Sequence, residues 1–472
     1  MTTGAFGETG TGPANGTETT ALPPADLAAL DRRLTRLEAE RPRPPGALTL
    51  DEFLQPLREA RAAWDVRRSV GQPEQKTVKV VRPSGITLPG DSPLRRVPPR
   101  KPEDQQPDYL EKFDSRTLFY DAFRLGADVW LSGPPLNNLK EPLEKADWRV
   151  DGKDVGAAVS LSDWGRTQRS RIRNAGPGQR LTLGLGDERF SAEISPDESG
   201  LFAGQRTLIT KSKDNDLVWI QDFLQYYHLV HGVTGVVFYD NGSTRYTPQD
   251  VADAIAAVEG ITTAVVVDWR YPWGPNCGPN EVWDSDYCQY GLLEHGRFRY
   301  LSQAAGVVSV DIDELVLCDD ARSVFDHAQE SEAGAVMFDG RWIAKATAEP
   351  MDPARQRRFT DYRHRAKGTT TVKWAVLPGV VDWRSTQWRV HSVAGANARK
   401  NDLIHHRHYQ GVNNGWKYDR AEQLVTPGTH TYDVRMSHVL DIVFGPSEDF
   451  EPTETLAPST AVEPSGEERG AR

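Results

Sequence analysis

Between residues 206 and 317 the apolar positions change their spacing in a repeating way. Residues 206–210 form a short run with strand character, and then Trp219, Phe223, Tyr226 and Val230 fall on one helical face closed by Gly232. A second apolar run, 235–239, leads straight into Asp240-Asn241-Gly242-Ser243-Thr244. Pro248 opens a helix to residue 258 that carries Val251, Ile255 and Val258 on one side. Residues 264–267 read as a strand ending at Asp268, a helical stretch surrounds 286–295, and 307–313 and 335–338 read as further strands. Apolar runs without alternation suit strands covered on both faces. Strand–helix–strand repeats of this length imply right-handed crossovers and a parallel sheet. The expected fold class is α/β: a Rossmann-type, mostly parallel sheet with helices on both faces.

Upstream the pattern differs. Short runs at 118–125, 129–132, 149–150, 157–161, 171–173, 181–183 and 190–194 are separated by turn clusters such as Asp151-Gly152 and Gly186-Asp187. That spacing predicts a small antiparallel β-sandwich-like accessory domain over 114–204, ahead of the α/β domain at 205–445. Its Trp130, Trp148 and Trp164 suit either stacking on sugar rings or core packing. Residues 25–113 read as helical segments plus a linker: a leucine seam at Leu27, Leu30, Leu34 and Leu37 suited to packing on the body or pairing with a second copy, a helix over 50–66, and a Pro- and Arg-rich stretch over 72–106. The basic charge of that stretch could touch an anionic lipid or polysaccharide. Residues 1–24 and the acidic tail 446–472 have too few large apolar side chains to offset chain entropy and are expected to be disordered.

Charge and cysteine usage narrow the class. A net charge of −11 argues against a general nucleic-acid surface. The three cysteines, Cys277, Cys288 and Cys318, form no CxxC pair and suit a reducing compartment. No apolar run is long enough to span a bilayer, so the expectation is a cytoplasmic protein with at most peripheral contact at the inner face of the membrane.

The chemistry concentrates where strands end. Asp240, Asp268, Asp311 and Asp313 each follow an apolar run, and the ends of parallel strands share one edge. On an extended chain Asp311 and Asp313 point the same way. Two converging oxygen donors suit Mg²⁺ or Mn²⁺, and hence a diphosphate.

Four stretches in order then resemble a known group. Val237-Phe238-Tyr239-Asp240-Asn241-Gly242-Ser243, Asp311-Ile312-Asp313-Glu314, Lys373-Trp374 with His391, and His408-Tyr409-Gln410 with Trp416-Lys417 and Arg420 are similar to elements of the glycosyltransferase family 92 and family 2-like enzymes, which have the GT-A fold. The resemblance covers about residues 206–423. It implies sugar transfer from a nucleotide-sugar donor, UDP-linked by preference, to a polysaccharide or glycoconjugate acceptor, with inversion. It also implies Asp311 and Asp313 as metal ligands completed by His408 or His391, and Asp240, Asn241 and Asp268 as donor contacts. The catalytic base would be Asp339, with Glu314 as the alternative. Trp342 and Trp416 suit either apolar platforms for a sugar face or core packing. Lys373, Arg407, Lys417 and Arg420 would bring positive charge to the diphosphate. Lys211-Ser212 departs from the usual basic-Asn pair, Lys211 keeping the basic donor-contact position, and Gln410 stands where an Arg is usual. Two other readings use the same residues: a non-catalytic carbohydrate-binding scaffold, and a nucleotidyl or phosphosugar transferase.

Overall fold

The computed structural model describes residues 48–71, 74–278, 281–414, 421–426 and 428–445. The leucine seam, both termini, and Trp416, Lys417 and Arg420 lie outside them.

A ten-stranded mixed sheet organises the molecule. Five neighbouring strands are parallel, in the order Thr77–Val81, Thr263–Asp268, Gly235–Asp240, Arg206–Ser212 and Gly306–Ser309. His364–Val376 then runs antiparallel to Gly306–Ser309, followed by Ala335–Ile343, Arg399–Tyr409 and Glu314–Cys318, with Thr431–Tyr432 pairing on His364–Val376.

The unbroken apolar runs reflect two cores on opposite faces. Leu208, Val236, Phe238, Ala264, Val266 and Val308 pack into one with the helices Leu217–His231, Pro248–Ala256 and Val434–Phe444. Their neighbours Ile209, Val237, Tyr239, Val265, Val267 and Val307 pack into the other, beneath Tyr287–Arg299. Period-two alternation is present, but each side meets apolar partners.

The stretch expected to be a linker is built into the body. Thr77–Val81 is the edge strand of the main sheet, in register with Thr263–Asp268. Its β-branched residues pair well, and the surrounding prolines and arginines masked them. Helix Leu50–Val70 starts with a Thr49/Glu52 capping box and buries Phe53, Leu54, Leu57 and Trp64 in the first core. Two arginines of the basic stretch are interior residues, while Arg82 and Lys101 stay exposed. Arg96 is buried and donates to the carbonyls of Pro135 (2.7 Å), Asp114 (2.6 Å) and Thr117 (2.6 Å). Arg100 is buried against Asp284, at 2.6 Å.

Two antiparallel sheets lie between the linker region and the main sheet's first central strand. One joins Asp121–Leu125, Asp128–Gly133, Thr167–Ile172 and Val159–Ser160; the other joins Glu188–Glu193, Arg180–Leu185, Asp147–Val150 and Lys153–Asp154. Trp148 and Trp130 are core residues rather than sugar platforms: Trp148 donates to Leu143 O at 2.8 Å, and Trp130 stacks on Phe298 of Tyr287–Arg299 at 4.4 Å. That helix is thus sandwiched between the small sheets and the large one. Among the described residues no helix is long and apolar enough to cross a membrane.

Candidate functional site

The expected strand over 307–313 stops early. Gly306–Ser309 ends four residues before Glu314–Cys318 begins, and residues 310–313 carry the chain from the middle of the sheet to its far edge. Glu314 holds this crossing together: its Oε2 accepts from Asp311 N at 2.8 Å, and its own N–H donates to Asp311 O at 3.0 Å.

Asp311 and Asp313 take different partners. The Asp311 carboxylate receives Lys211 Nζ on Oδ1 and Lys373 Nζ on Oδ2, the latter at 2.6 Å. Asp313 Oδ2 instead faces His408 Nε2 at 3.1 Å. Both Asp311 oxygens thus carry ammonium partners, and Asp313 an imidazole.

Lys373 sits at the centre. It is 3% exposed and reaches Glu314 Oε2 at 2.8 Å as well as Asp311. Burial works against its charge, but Asp311 and Glu314 outweigh that and hold its pKa above the usual lysine value. Burial likewise opposes ionisation of Asp311, yet the Lys211 and Lys373 charges keep its carboxyl well below the ordinary range. Glu314 is lowered in the same way, burial being overcome chiefly by Lys373. Around His408, Asp313 and Glu314 overcome burial and raise the imidazole to about 9, whereas burial pushes His406 down to about 4.

Glu314 and His408 are direct cross-strand partners, and His406 lies two residues back on the same face. Glu314, His406 and His408 are a group that could hold a metal ion. His406 was not anticipated. Its signal was the alternation His406-Arg407-His408, which places two imidazoles on one side of any strand.

Other expected residues fall elsewhere. Asp339 forms an ion pair with Lys400 at 2.7 Å on the opposite face from Gly340, which faces His406. Glu314 is wholly buried and committed to Lys373. The two expected bases therefore have different partners, Asp339 on Lys400 and Glu314 on Lys373. Arg407 is buried against Asp433 at 3.1 Å, away from the cluster. His391 spends Nδ1 on Val372 O at 3.0 Å; burial and the Lys373 charge lower its pKa, and it stands apart from the Glu314, His406 and His408 group. Trp342 packs against His408 with tilted rings, 4.4 Å between ring centres.

The residues expected to contact a donor share an edge. Ser212, Asp240 and Asp268 are in register at the ends of three parallel strands, with Lys211 one residue before. Asp240 accepts from Ser243, and burial raises its carboxyl pKa against that hydrogen bonding. Asp268 pairs with Arg270 at 2.6 Å. Asn241 is a turn brace, its Nδ2 donating to Trp269 O (2.8 Å) and Tyr271 O (3.0 Å).

No family model matches the chain, and no curated protein matches it. Among solved structures it is similar to the galactosyltransferase LgtC in complex with donor and acceptor sugar analogues, at 16% identity over 28% of this chain and 46% of that one, TM-score 0.19. An active-site mutant of LgtC gives 15% identity over 28% and 45%, TM-score 0.20. The chain spans less than half the length of either.

Proposed function

We propose that the protein transfers a sugar from a nucleotide-sugar donor, UDP-linked by preference, to a saccharide acceptor, within the family 92 and family 2-like group. The observation that supports this most is the Lys211–Asp311–Lys373 cluster at the carboxyl edge of the parallel sheet, beside the strand ends of Asp240 and Asp268. Departure of a nucleoside diphosphate needs positive charge aimed at the phosphates. Two lysines that already share one carboxylate can exchange it for a phosphate oxygen with little rearrangement. Asp240 and Asp268 then supply acceptors for ribose or base.

The Mg²⁺ or Mn²⁺ expected with such a donor does not fit Asp311, Asp313, His391 and His408 as a set. Asp311 is covered by lysines and His391 is engaged with Val372. The diphosphate chemistry is therefore assigned to the lysines.

The test is nucleotide release from a panel of UDP- and GDP-sugars by the full chain. Wild type should release nucleoside diphosphate, and Lys211→Met should lower kcat/KM by about 100-fold, the scale for losing one oriented charge donor. Release of the nucleoside monophosphate would indicate a phosphosugar transferase instead. A second reading, a sugar-nucleotide-binding protein without turnover, is favoured by the withdrawal of Glu314 and Asp339 from the cluster. Saturable UDP binding with no release would establish it.

A further inference from the structure

Three buried atoms in the site lack the partners that buried polar groups ordinarily have. Glu314 Oε1 and both ring nitrogens of His406 make no hydrogen bond, although both side chains are 0% exposed. Each such group left unmatched costs on the order of 1–3 kcal/mol. They are not scattered. Glu314 Oε1 lies 3.4 Å from His406 Nε2 and 3.4 Å from His408 Nδ1, and one donor atom from each residue fits within 4.8 Å of the others.

We propose that Glu314, His406 and His408 bind a transition-metal dication of the Zn²⁺ type, at a centre distinct from the Asp311–Asp313 pair. A tetrahedral ion with ligands at about 2.0–2.1 Å sets neighbouring donor atoms about 3.3 Å apart. The two Glu314–imidazole separations match that edge. Two imidazoles with one carboxylate select Zn²⁺, or Co²⁺ as its substitute, over the oxygen-seeking Mg²⁺.

The surrounding residues have the form of a supporting layer. His408 keeps Nε2 on Asp313 Oδ2 at 3.1 Å, leaving Nδ1 toward Glu314. A carboxylate on the far nitrogen is how ligating imidazoles are oriented. Lys373 holds the second oxygen of Glu314 at 2.8 Å, leaving Oε1 for the centre. Thr370 Oγ1 hydrogen-bonds His408 Nδ1 at 3.2 Å, a bond that an ion at this point would displace.

Gly340 completes the argument. A Cβ there would lie 2.1 Å from His406 Nε2 and 2.4 Å from Thr370 Cγ2. Gly340 is not among the glycines with positive φ, so the reason for glycine is space next to the unpartnered nitrogen.

This assignment does not depend on sugar transfer and has its own readout. Full-length protein stripped with a chelator is titrated with Co²⁺ and followed by visible absorption, then challenged with Zn²⁺. Wild type should bind about one equivalent, displaced by Zn²⁺. His406→Ala and Gly340→Ala should each weaken binding by at least about 100-fold, while Asp311→Asn should keep it. Where His406→Ala fails to fold by circular dichroism, His406→Gln takes its place, and the wild-type titration decides by itself. No saturable Co²⁺ binding to wild type, binding unchanged in the His406 variant, or binding lost in Asp311→Asn but kept in the His406 variant would each overturn the proposal. UDP binding to the stripped protein, measured in parallel, reports separately on the donor site.

Discussion

Replacing Lys373 with Met removes the ammonium that Asp311 and Glu314 share at 2.6 and 2.8 Å and keeps most of the side-chain volume. Asp311 retains Lys211, but Glu314 is left as a wholly buried carboxylate with no cation on Oε2. Breaking one partner of a buried pair costs about 3–5 kcal/mol, because the other charge stays desolvated. For a unit of this size 1 kcal/mol moves the midpoint by about 2 °C, so Lys373→Met should lower Tm by about 6–10 °C. The assay is thermal unfolding of metal-stripped full-length protein at neutral pH. If the loss comes from the stranded charge, adding Glu314→Gln must recover at least about half of it. A single variant within about 2 °C of wild type would refute the reasoning. So would a double variant that falls by the sum of its parts, since that would mean Lys373 contributes by packing alone.

Three further outcomes follow from buried groups elsewhere. His231 satisfies both ring nitrogens only when neutral, with Nε2 on Val316 O at 2.9 Å and Val324 N donating to Nδ1 at 3.3 Å, and burial lowers its pKa to about 4. The unfolded chain therefore binds the extra proton first, so stability falls as pH drops from about 6.5 to about 4, by up to about 3 kcal/mol; His231→Gln should flatten that part of the Tm–pH curve. Arg96→Met strands three buried carbonyls and should lower stability to urea by about 3 kcal/mol or more, an intact midpoint refuting the clamp role. Asp339→Asn should leave nucleotide release within about twofold of wild type, because its carboxylate faces Lys400 rather than the cluster; a loss of 100-fold would restore it as a catalytic base.

The parallel half of the main sheet was readable because its signals were local. Unbroken runs such as Val236-Val237-Phe238 and Val265-Val266-Val267 are constrained by two apolar cores, and Pro248 and Gly232 mark helix ends by backbone chemistry alone. The Thr77–Val81 strand was hidden because its partner lies far along the chain and its flanks carry Pro and Arg. Arg96 shows the same limit: exposed basic stretches and buried arginines that clamp carbonyls look alike until the carbonyls are in place. At the site, strand-end acids were legible as a class, but their aim was not. The aim of Asp311 depends on Lys373 of a strand about sixty residues later, at 2.6 Å, and on Lys211 of the neighbouring parallel strand.

That difference changes what the acidic segment does. Asp311 is paired with Lys211 and Lys373, Lys373 also reaches Glu314, and Asp313 faces His408. A dication added at Asp311 would meet two ammonium groups at contact distance. The diphosphate of the proposed donor would face the opposite situation. It replaces a singly charged carboxylate with a more highly charged partner on Lys211, while Lys373 remains anchored by Glu314. On the other side of Glu314 the neighbours are imidazoles rather than ammonium groups, which is where the proposed dication would sit. Glu314 thus separates the two chemistries: Oε2 keeps the lysine that faces the anion, and Oε1 faces the two imidazoles.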